Sequence, residues 1–270
     1  MRKLYRKVIA AINSIKIFFW SLSFLPYKTW LRFWFTFPEE MHININSIPI
    51  IVRTRTLPAK IVDLYMATSC IRARQYTPRD FEINKSDTVI DIGAHIGSFS
   101  ILAAHLAPDG RIFSFEPDLA NYAQLTKNIN ARNAKNVAAR QYAISATRGT
   151  IAFQSDSLNT AESSIYKKGT RTINVVSTTL EDIFKQENIE MCNYLKLDCE
   201  GAEYEILFSA PKELFSKIDK IVMECHNPRF FDITNPVYSY DKMIAFLKNL
   251  GYKIRVVHEN AMHNLIFAKR

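Results

Sequence analysis

The chain has 270 residues, 48% of them apolar and 23% charged, which suits one α/β domain with an extension, or two small domains, with enough apolar residues for a full core. Its net charge of +9 does not mark a nucleic-acid binder, because residues 1–38 hold seven Lys/Arg and no acid and leave +2 for residues 39–270, where there is no basic block and no RNA-binding motif. Cys70, Cys192, Cys199 and Cys225 have no C-x-x-C spacing, which excludes a cysteine metal centre and fits small apolar side chains in a reducing, cytoplasmic compartment.

The first 40 residues form a basic, aromatic-rich arm. Leu4, Val8, Ile12, Ile15, Phe19, Leu22 and Leu25 recur at helical spacing, and Trp20, Trp30 and Trp34 are all the tryptophans of the chain. A basic helix with such a face lies on a membrane surface through residues 1–37, or docks on the domain or a second subunit. Lys16 and Asn13 interrupt the apolar run and argue against a spanning helix. A signal peptide stands as an alternative, although no clear small-residue cleavage site follows the apolar run. Residues 41–85 read as a lead-in segment, and 86–270 as the catalytic domain.

From residue 86 strand and helix patterns alternate. Thr88–Ile92 reads as a strand, Ser98–Ala107 as a helix, Arg111–Phe115 as a strand, Leu119–Asn133 as a helix and Val137–Ile144 as a strand. Two β-rich runs, Thr150–Gln154 and Thr172–Val176, flank a polar insertion at 155–171. Alternation resumes with helix Thr179–Gln186, strand Tyr194–Leu197, helix Ala202–Phe208, strand Lys220–Glu224 and helix Tyr240–Leu250. Strands Lys253–His258 and Asn264–Ala268 end the chain. The pattern predicts an α/β fold with a mostly parallel sheet, helices on both faces and an antiparallel pair at one edge.

Ligands of such sheets bind beyond the carboxyl ends of the strands. Three strand ends carry the chemistry. In DIGAHIGSFS, 91–100, the spacing is G-x-x-x-G with Asp91 before Gly93. It is neither the dinucleotide fingerprint nor a Walker loop, and its acid suits a cationic group such as an amino acid's ammonium. In FSFEP, 113–117, Glu116 is placed to accept from two ribose hydroxyls. Together they describe a phosphate-free nucleoside ligand with a cationic amino-acid tail, which S-adenosylmethionine fits. In YLKLDCEG, 194–201, Asp198 ends a buried strand and Glu200 and Glu203 follow; MECHN adds Glu224 and His226. Carboxylates and a histidine on one cleft suit general-base work. They also offer donors for a divalent metal, although no metal ligand set is predicted.

These motifs resemble the FkbM family of S-adenosylmethionine-dependent methyltransferases, from about Tyr76 to His226. DIGAHIGSFS looks like the family's cofactor loop, with His95 where Asn is more usual. FEP is similar to its second acidic motif. TTLEDI, 178–183, resembles its T-L-D-D signature with Glu181 for the first Asp, and LKLDCEGAEYEIL resembles its K-[IL]-D-x-E-G-x-E segment. The resemblance implies a seven-stranded Rossmann-like fold with the last strand antiparallel. It also implies methyl transfer mostly to hydroxyl oxygens of sugars, glycans or polyketide-like products. By it, Asp91, Gly93, His95, Gly97 and Ser98 frame the cofactor's methionine part, and Glu116 holds the ribose. Asp198 lies beside the methyl group, and Glu200, Glu203, Glu224 and His226 line the acceptor side.

On this reading Asp198 or His226 removes the acceptor's proton and Glu200 or Glu224 orients its partner. The insertion 155–171 and residues 227–239, with Arg229, Phe230 and Phe231, shape the acceptor pocket. His258 and His263 read as structural or exposed. The expected partner is a small-molecule or glycan acceptor, not nucleic acid. A nucleic-acid amino-methyltransferase would carry [ND]-P-P-[YF] where this chain has Asp198-Cys199-Glu200-Gly201. A protein methyltransferase and a non-catalytic module keeping the cofactor fold stand as further alternatives.

Overall fold

The computed structural model describes residues 15–155, 171–230, 233 and 235–270. Residues 1–14 of the arm, most of the polar insertion and Phe231 lie outside the described residues.

The main sheet is built from β3 (Thr88–Ile92), β4 (Arg111–Phe115), β5 (Val137–Arg140), β9 (Cys192–Leu197), β10 (Ile218–His226), β11 (Lys253–His258) and β12 (His263–Lys269). Its seven strands lie in the order β11-β12-β10-β9-β3-β4-β5. Strand β12 is antiparallel to both β10 and β11, and the other pairings are parallel. This is the expected Rossmann-like sheet with an antiparallel last strand. Side chains alternate across a strand, and here both faces are buried. Val89, Tyr194, Val222, Leu265 and Phe267 enter one core, and Ile90, Leu195, Ile221, Met223 and Ile266 enter the other.

Helices cover both faces: α3 (Ser98–Leu106), α4 (Leu119–Ala131), α5 (Leu180–Gln186), α6 (Glu203–Ser209) and α7 (Tyr240–Asn249). Asp118 caps α4 by accepting from Ala120 N and Asn121 N. Thr179 caps α5 by accepting from Asp182 N at 3.1 Å. Asp182 also binds the Arg148 guanidinium. The TTLEDI stretch is therefore a capping device that ties α5 to the chain before it.

The run Val137–Ile144, expected as one strand, divides. Strand β5 stays in the main sheet, and β6 (Ala143–Ile144) leaves it to pair with β8 (Arg171–Thr178). Strand β7 (Gly149–Ser155) pairs antiparallel with β8 in the same small sheet. Apolar pattern alone does not register such a break, because the residues on both sides are buried or half-buried.

The lead-in segment carries a hairpin, β1 (Glu40–Ile45) and β2 (Ile48–Arg53), and helix α2 (Leu57–Ala67). Asn46 and Ser47 both take positive φ, 49° and 65°, as a two-residue turn between paired strands requires. Ile43, Ile45, Ile48, Ile50 and Leu64 enter the first core together with α3 residues Phe99 and Leu102. Helix α1 (Tyr27–Phe35) of the arm joins them through Trp30 and Phe33, and Ile17 and Leu25 follow. Lys60, fully buried on α2, donates to Phe33 O and Thr36 O. It thereby satisfies carbonyls that the end of α1 leaves open. The described part of the arm is thus docked on the domain. No helix among the described residues is long and apolar enough to cross a membrane.

Candidate active site

A cleft of about 630 Å³, measured with its open mouth, lies beyond the carboxyl ends of β3, β4 and β9. Gly93, His95, Glu116, Asp198 and Glu200 line it, and Phe115, Pro117, Tyr142, Ile144 and Phe153 give it an apolar side.

The loop after β3 turns at Gly93, where φ is +77°. A Cβ there would lie 1.8 Å from the Asp198 carbonyl oxygen. The close approach expected of a ligand is thus made by the chain's own backbone, which brings the ends of β3 and β9 together. Gly93 N and Ala94 N both donate to Phe115 O at 3.0 Å, which holds the end of β4 as well. At Gly97, φ is +87° and a Cβ would meet Leu125 of α4 at 2.5 Å. Gly97 serves the packing of α4 and does not line the cleft.

Glu116 is 5% exposed. Its Oε2 accepts from His95 N at 2.8 Å and its Oε1 from Asp118 N at 2.9 Å. These bonds aim the carboxylate along the cleft wall. Burial pushes its pKa up to about 7, against the pull of the two backbone donors.

Asp91, expected to meet a ligand ammonium, is fully buried. Its Oδ2 accepts from Ser100 Oγ at 2.6 Å, and its Oδ1 stands 3.1 Å from Lys196 Nζ. Lys196 also donates to Gly93 O at 2.8 Å and lies 3.9 Å from Asp198. The Asp91–Lys196 pair is therefore an internal brace beneath the cleft. Burial works against the charge on Lys196, yet Asp91 and Asp198 raise its pKa. Ser98, 3% exposed, also stands away from the cleft at the start of α3.

His95 is held in a left-handed conformation with φ 51°. Its Nε2 lies 3.2 Å from Arg53 Nη2. Arg53 in turn binds Asp63 through Nε and Nη2, at 2.9 and 2.7 Å, and donates to Asn121 Oδ1 at 2.9 Å. Burial, then Arg53 and Lys196, hold the imidazole pKa well below its usual value, so the ring is neutral. Sequence reasoning missed this buttress. Arg53 comes from β2, 42 residues before His95, and no motif marks it.

On the opposite wall Asp198 Oδ2 accepts from Tyr76 Oη at 2.9 Å. The same hydroxyl lies 2.7 Å from Glu224 Oε1, and Gln75 Nε2 donates to that oxygen at 2.9 Å. A phenol has one proton to give to two carboxylates. Burial and then Glu224 raise the pKa of Asp198. Tyr76 was not singled out from sequence, although it bridges the two acids.

His226, expected as a base, is 2% exposed and does not line the cleft. Its Nδ1 lies 2.8 Å from Glu203 Oε1, and its Nε2 lies 3.9 Å from both Glu200 Oε1 and Glu224 Oε2. Burial opposes charge on the ring, but Glu203 and Glu200 carry its pKa up to about 10, so it carries its proton at neutral pH. Glu203, expected on the acceptor surface, is fully buried and also accepts from Cys199 N and Gly201 N. It positions His226 and meets no acceptor. His263, expected to be structural, stands 3.6 Å from Glu224 Oε2. The signal that finds it is register, since His226 and His263 are direct partners in the antiparallel pair β10–β12. Arg229 is exposed on the short turn Pro228–Phe230 after β10.

Residues 91–254, more than half of the chain, match the methyltransferase FkbM domain. The chain belongs to the FkbM methyltransferase family. It is similar to methyltransferase sdnD of Sordaria araneosa, 25% identical over an alignment 172 residues long that covers 52% of this chain and 66% of that protein. It is also similar to methyltransferase 1 of Beauveria bassiana, 24% identical over an alignment 157 residues long that covers 50% of this chain and 63% of that protein. The matched stretch therefore spans less than two thirds of each relative. Among solved structures, Aeropyrum pernix fibrillarin, with natively bound S-adenosyl-L-methionine, is 15% identical with a TM-score of 0.46, covering 85% of this chain and 82% of that one. For this family member the fold rests on its own strand order.

Proposed function

We propose that this FkbM-family chain is an S-adenosylmethionine-dependent methyltransferase that methylates a hydroxyl of a sugar, glycan or other natural product. The observation that carries the reading is one cleft with Glu116 on one wall and Asp198 on the other, at the ends of β4 and β9, the two strands that flank β3. The residues fit the cofactor. Phe115, Pro117, Tyr142, Ile144 and Phe153 offer an apolar slot for a purine. Glu116 offers the ribose an acceptor whose orientation is set by His95 N and Asp118 N. Asp198 and Glu200 supply negative charge for a sulfonium. When bound, the cofactor supplies a methyl group already activated for transfer to a nucleophile. The chain's own work is to orient the acceptor oxygen, which is worth roughly 7–11 kcal/mol of barrier, and to take its proton. Asp198 is the proton acceptor on this reading, because it faces the cleft and His226 is buried and protonated. Exposed Arg229 is assigned to binding the acceptor.

Calorimetric titration with S-adenosylmethionine and S-adenosylhomocysteine tests the cofactor. Glu116→Ala is expected to weaken both by about 10- to 100-fold, the worth of roughly 1.5–3 kcal/mol for hydrogen bonds to a charged group. Between pH 5.5 and 7 the Glu116 carboxyl takes up its proton and loses acceptor capacity. Wild-type affinity should therefore fall with falling pH, by up to about tenfold per unit, and Glu116→Gln should lose most of that dependence, keeping only the weaker part that protonation of Asp198 contributes. No binding by the folded wild type overturns the reading.

The arm supports a second element of the proposal, a peripheral seat on an anionic membrane. Trp30 and Phe33 point inward, whereas Phe19, Tyr27 and Phe35 are 64%, 67% and 66% exposed beside Lys28 and Arg32. An aromatic surface with flanking cations suits the headgroup region. The paired variant Phe19→Ser/Phe35→Ser is expected to lose most of its sedimentation with phosphatidylserine-containing vesicles while keeping the wild-type melting temperature. Equal sedimentation of variant and wild type would remove this element.

A further inference from the structure

Beside the cofactor cleft, the end of β10 meets the start of β12. Glu224 and His226 stand two residues apart on β10 and so share one face of the sheet. His263 pairs directly with His226 across the ladder and joins them on that face. One donor atom from each of the three lies within 4.8 Å of the others. His263 Nδ1 is 3.6 Å and His226 Nε2 3.9 Å from Glu224 Oε2. Ligands at about 2.0–2.2 Å from a tetrahedral metal stand roughly 3.3–3.6 Å apart, so closure on a cation needs only small side-chain shifts.

Two of these groups are held from behind. The buried Glu203 carboxylate accepts from Cys199 N and Gly201 N and therefore receives the His226 Nδ1 hydrogen at 2.8 Å. That directs Nε2 into the cluster, in the carboxylate–histidine arrangement that orients metal ligands. Glu224 Oε1 is engaged by Tyr76 and Gln75, which turns Oε2 toward the two rings. Ligation through Nδ1 of His263 puts its proton on Nε2 and ends the 3.3 Å contact with Asn260 Nδ2, an exposed contact with little to lose.

We propose that Glu224, His226 and His263 form a binding site for one divalent transition-metal ion, open toward Glu200 and the acceptor side of the cleft. Two imidazoles and one carboxylate suit zinc, cobalt or manganese better than magnesium or calcium, which prefer all-oxygen sets. The ion offsets the charge of Glu200 and Glu224, the two carboxylates that stand 3.9 Å from His226 Nε2. In the metal-free protein a protonated His226 answers the same excess of negative charge, and ligation breaks its Nε2–H bond and releases that proton to solvent. Resting on the methyltransferase reading, one consequence follows: an acceptor hydroxyl reaching the open position is made more acidic, which eases proton removal by Asp198.

The test uses the full chain stripped with a chelator. Equilibrium dialysis against Zn2+, Co2+ and Mg2+ should give one equivalent of Zn2+ or Co2+ at submicromolar Kd and no stoichiometric Mg2+. The Co2+ complex should show visible absorption. His263→Ala should weaken Zn2+ binding by at least about 100-fold. Glu203→Gln, which leaves every ligand in place, should weaken it by about 10- to 100-fold. Thermal melts of the metal-free variants verify that they fold. Absence of stoichiometric Zn2+ or Co2+ binding by wild type, or unchanged binding in His263→Ala, overturns the site and leaves the histidines as cationic partners of the acids. S-adenosylmethionine titration of the same preparation separates the two proposals. Cofactor binding without metal binding sinks only the metal site, and metal binding without cofactor binding sinks only the methyltransferase reading.

Discussion

Replacing Asp198 by Asn is expected to lower kcat by about 100- to 10,000-fold, the usual worth of a positioned base, with a much smaller change in cofactor Kd. Asparagine keeps the shape of the side chain and can still meet Tyr76 Oη, now 2.9 Å from Asp198 Oδ2, but it has no basic oxygen. The loss should shrink for acceptors with more acidic hydroxyls, because a nucleophile that sheds its proton readily needs the base less. That dependence separates proton transfer from mere electrostatic support of the sulfonium, which would cost every acceptor alike. An unchanged kcat removes Asp198 from the proton path. A loss carried wholly by cofactor Kd makes it a binding residue.

The second large effect concerns stability. Lys196→Met is expected to cost about 3–5 kcal/mol, since it leaves the Asp91 carboxylate buried without its cation. Lys196 is 2% exposed, Asp91 is fully buried, and their charged atoms lie 3.1 Å apart. The melting temperature should fall by roughly 10 °C. The double variant Asp91→Asn/Lys196→Met should recover a large part of that loss, because an apolar and a neutral side chain carry no stranded charge. A chemical-denaturation cycle over the four proteins measures the coupling. Additive losses in that cycle would mean that the brace beneath the cleft is not an ion pair in energetic terms. The same variant should also loosen the Gly93 turn, because Lys196 Nζ holds Gly93 O at 2.8 Å.

Much of the candidate site was legible because its markers are local. Glu116 follows a five-residue strand and precedes Pro117, so the acid had to stand at a strand end. Asp198 follows the buried run of β9 in the same way. In both cases a short-range pattern and the rule that ligands bind beyond strand ends predicted a cleft residue. The same reasoning misplaced Asp91, Gly97, Ser98 and Glu203. Residue type and order were read correctly there, but the direction of the side chain, or the neighbour that fills the space, was not. Asp91 belongs to the strand itself and faces Ser100 and Lys196 inside the fold. Gly97 answers Leu125 of α4, and Glu203 turns inward to His226.

The groups that sequence reasoning passed over come from far along the chain. Tyr76 reaches Asp198 across 122 residues, and Arg53 reaches Asn121 across 68. His263 meets Glu224 only because β12 runs antiparallel to β10 in one particular register. The arm divides in the same way, since its helical period was visible but not the inward turn of Trp30 and Phe33. By itself the sequence determined the α/β alternation, the strands with buried faces, the acids at their ends and the family to which those motifs point, because each is written in contiguous residues whose periodicity and turn chemistry act locally. Only the tertiary structure decided which oxygens face the cleft, which are spent on internal pairs, and which distant side chains complete the cluster, because those outcomes depend on sheet order and register, where a shift of one residue turns every side chain to the other face.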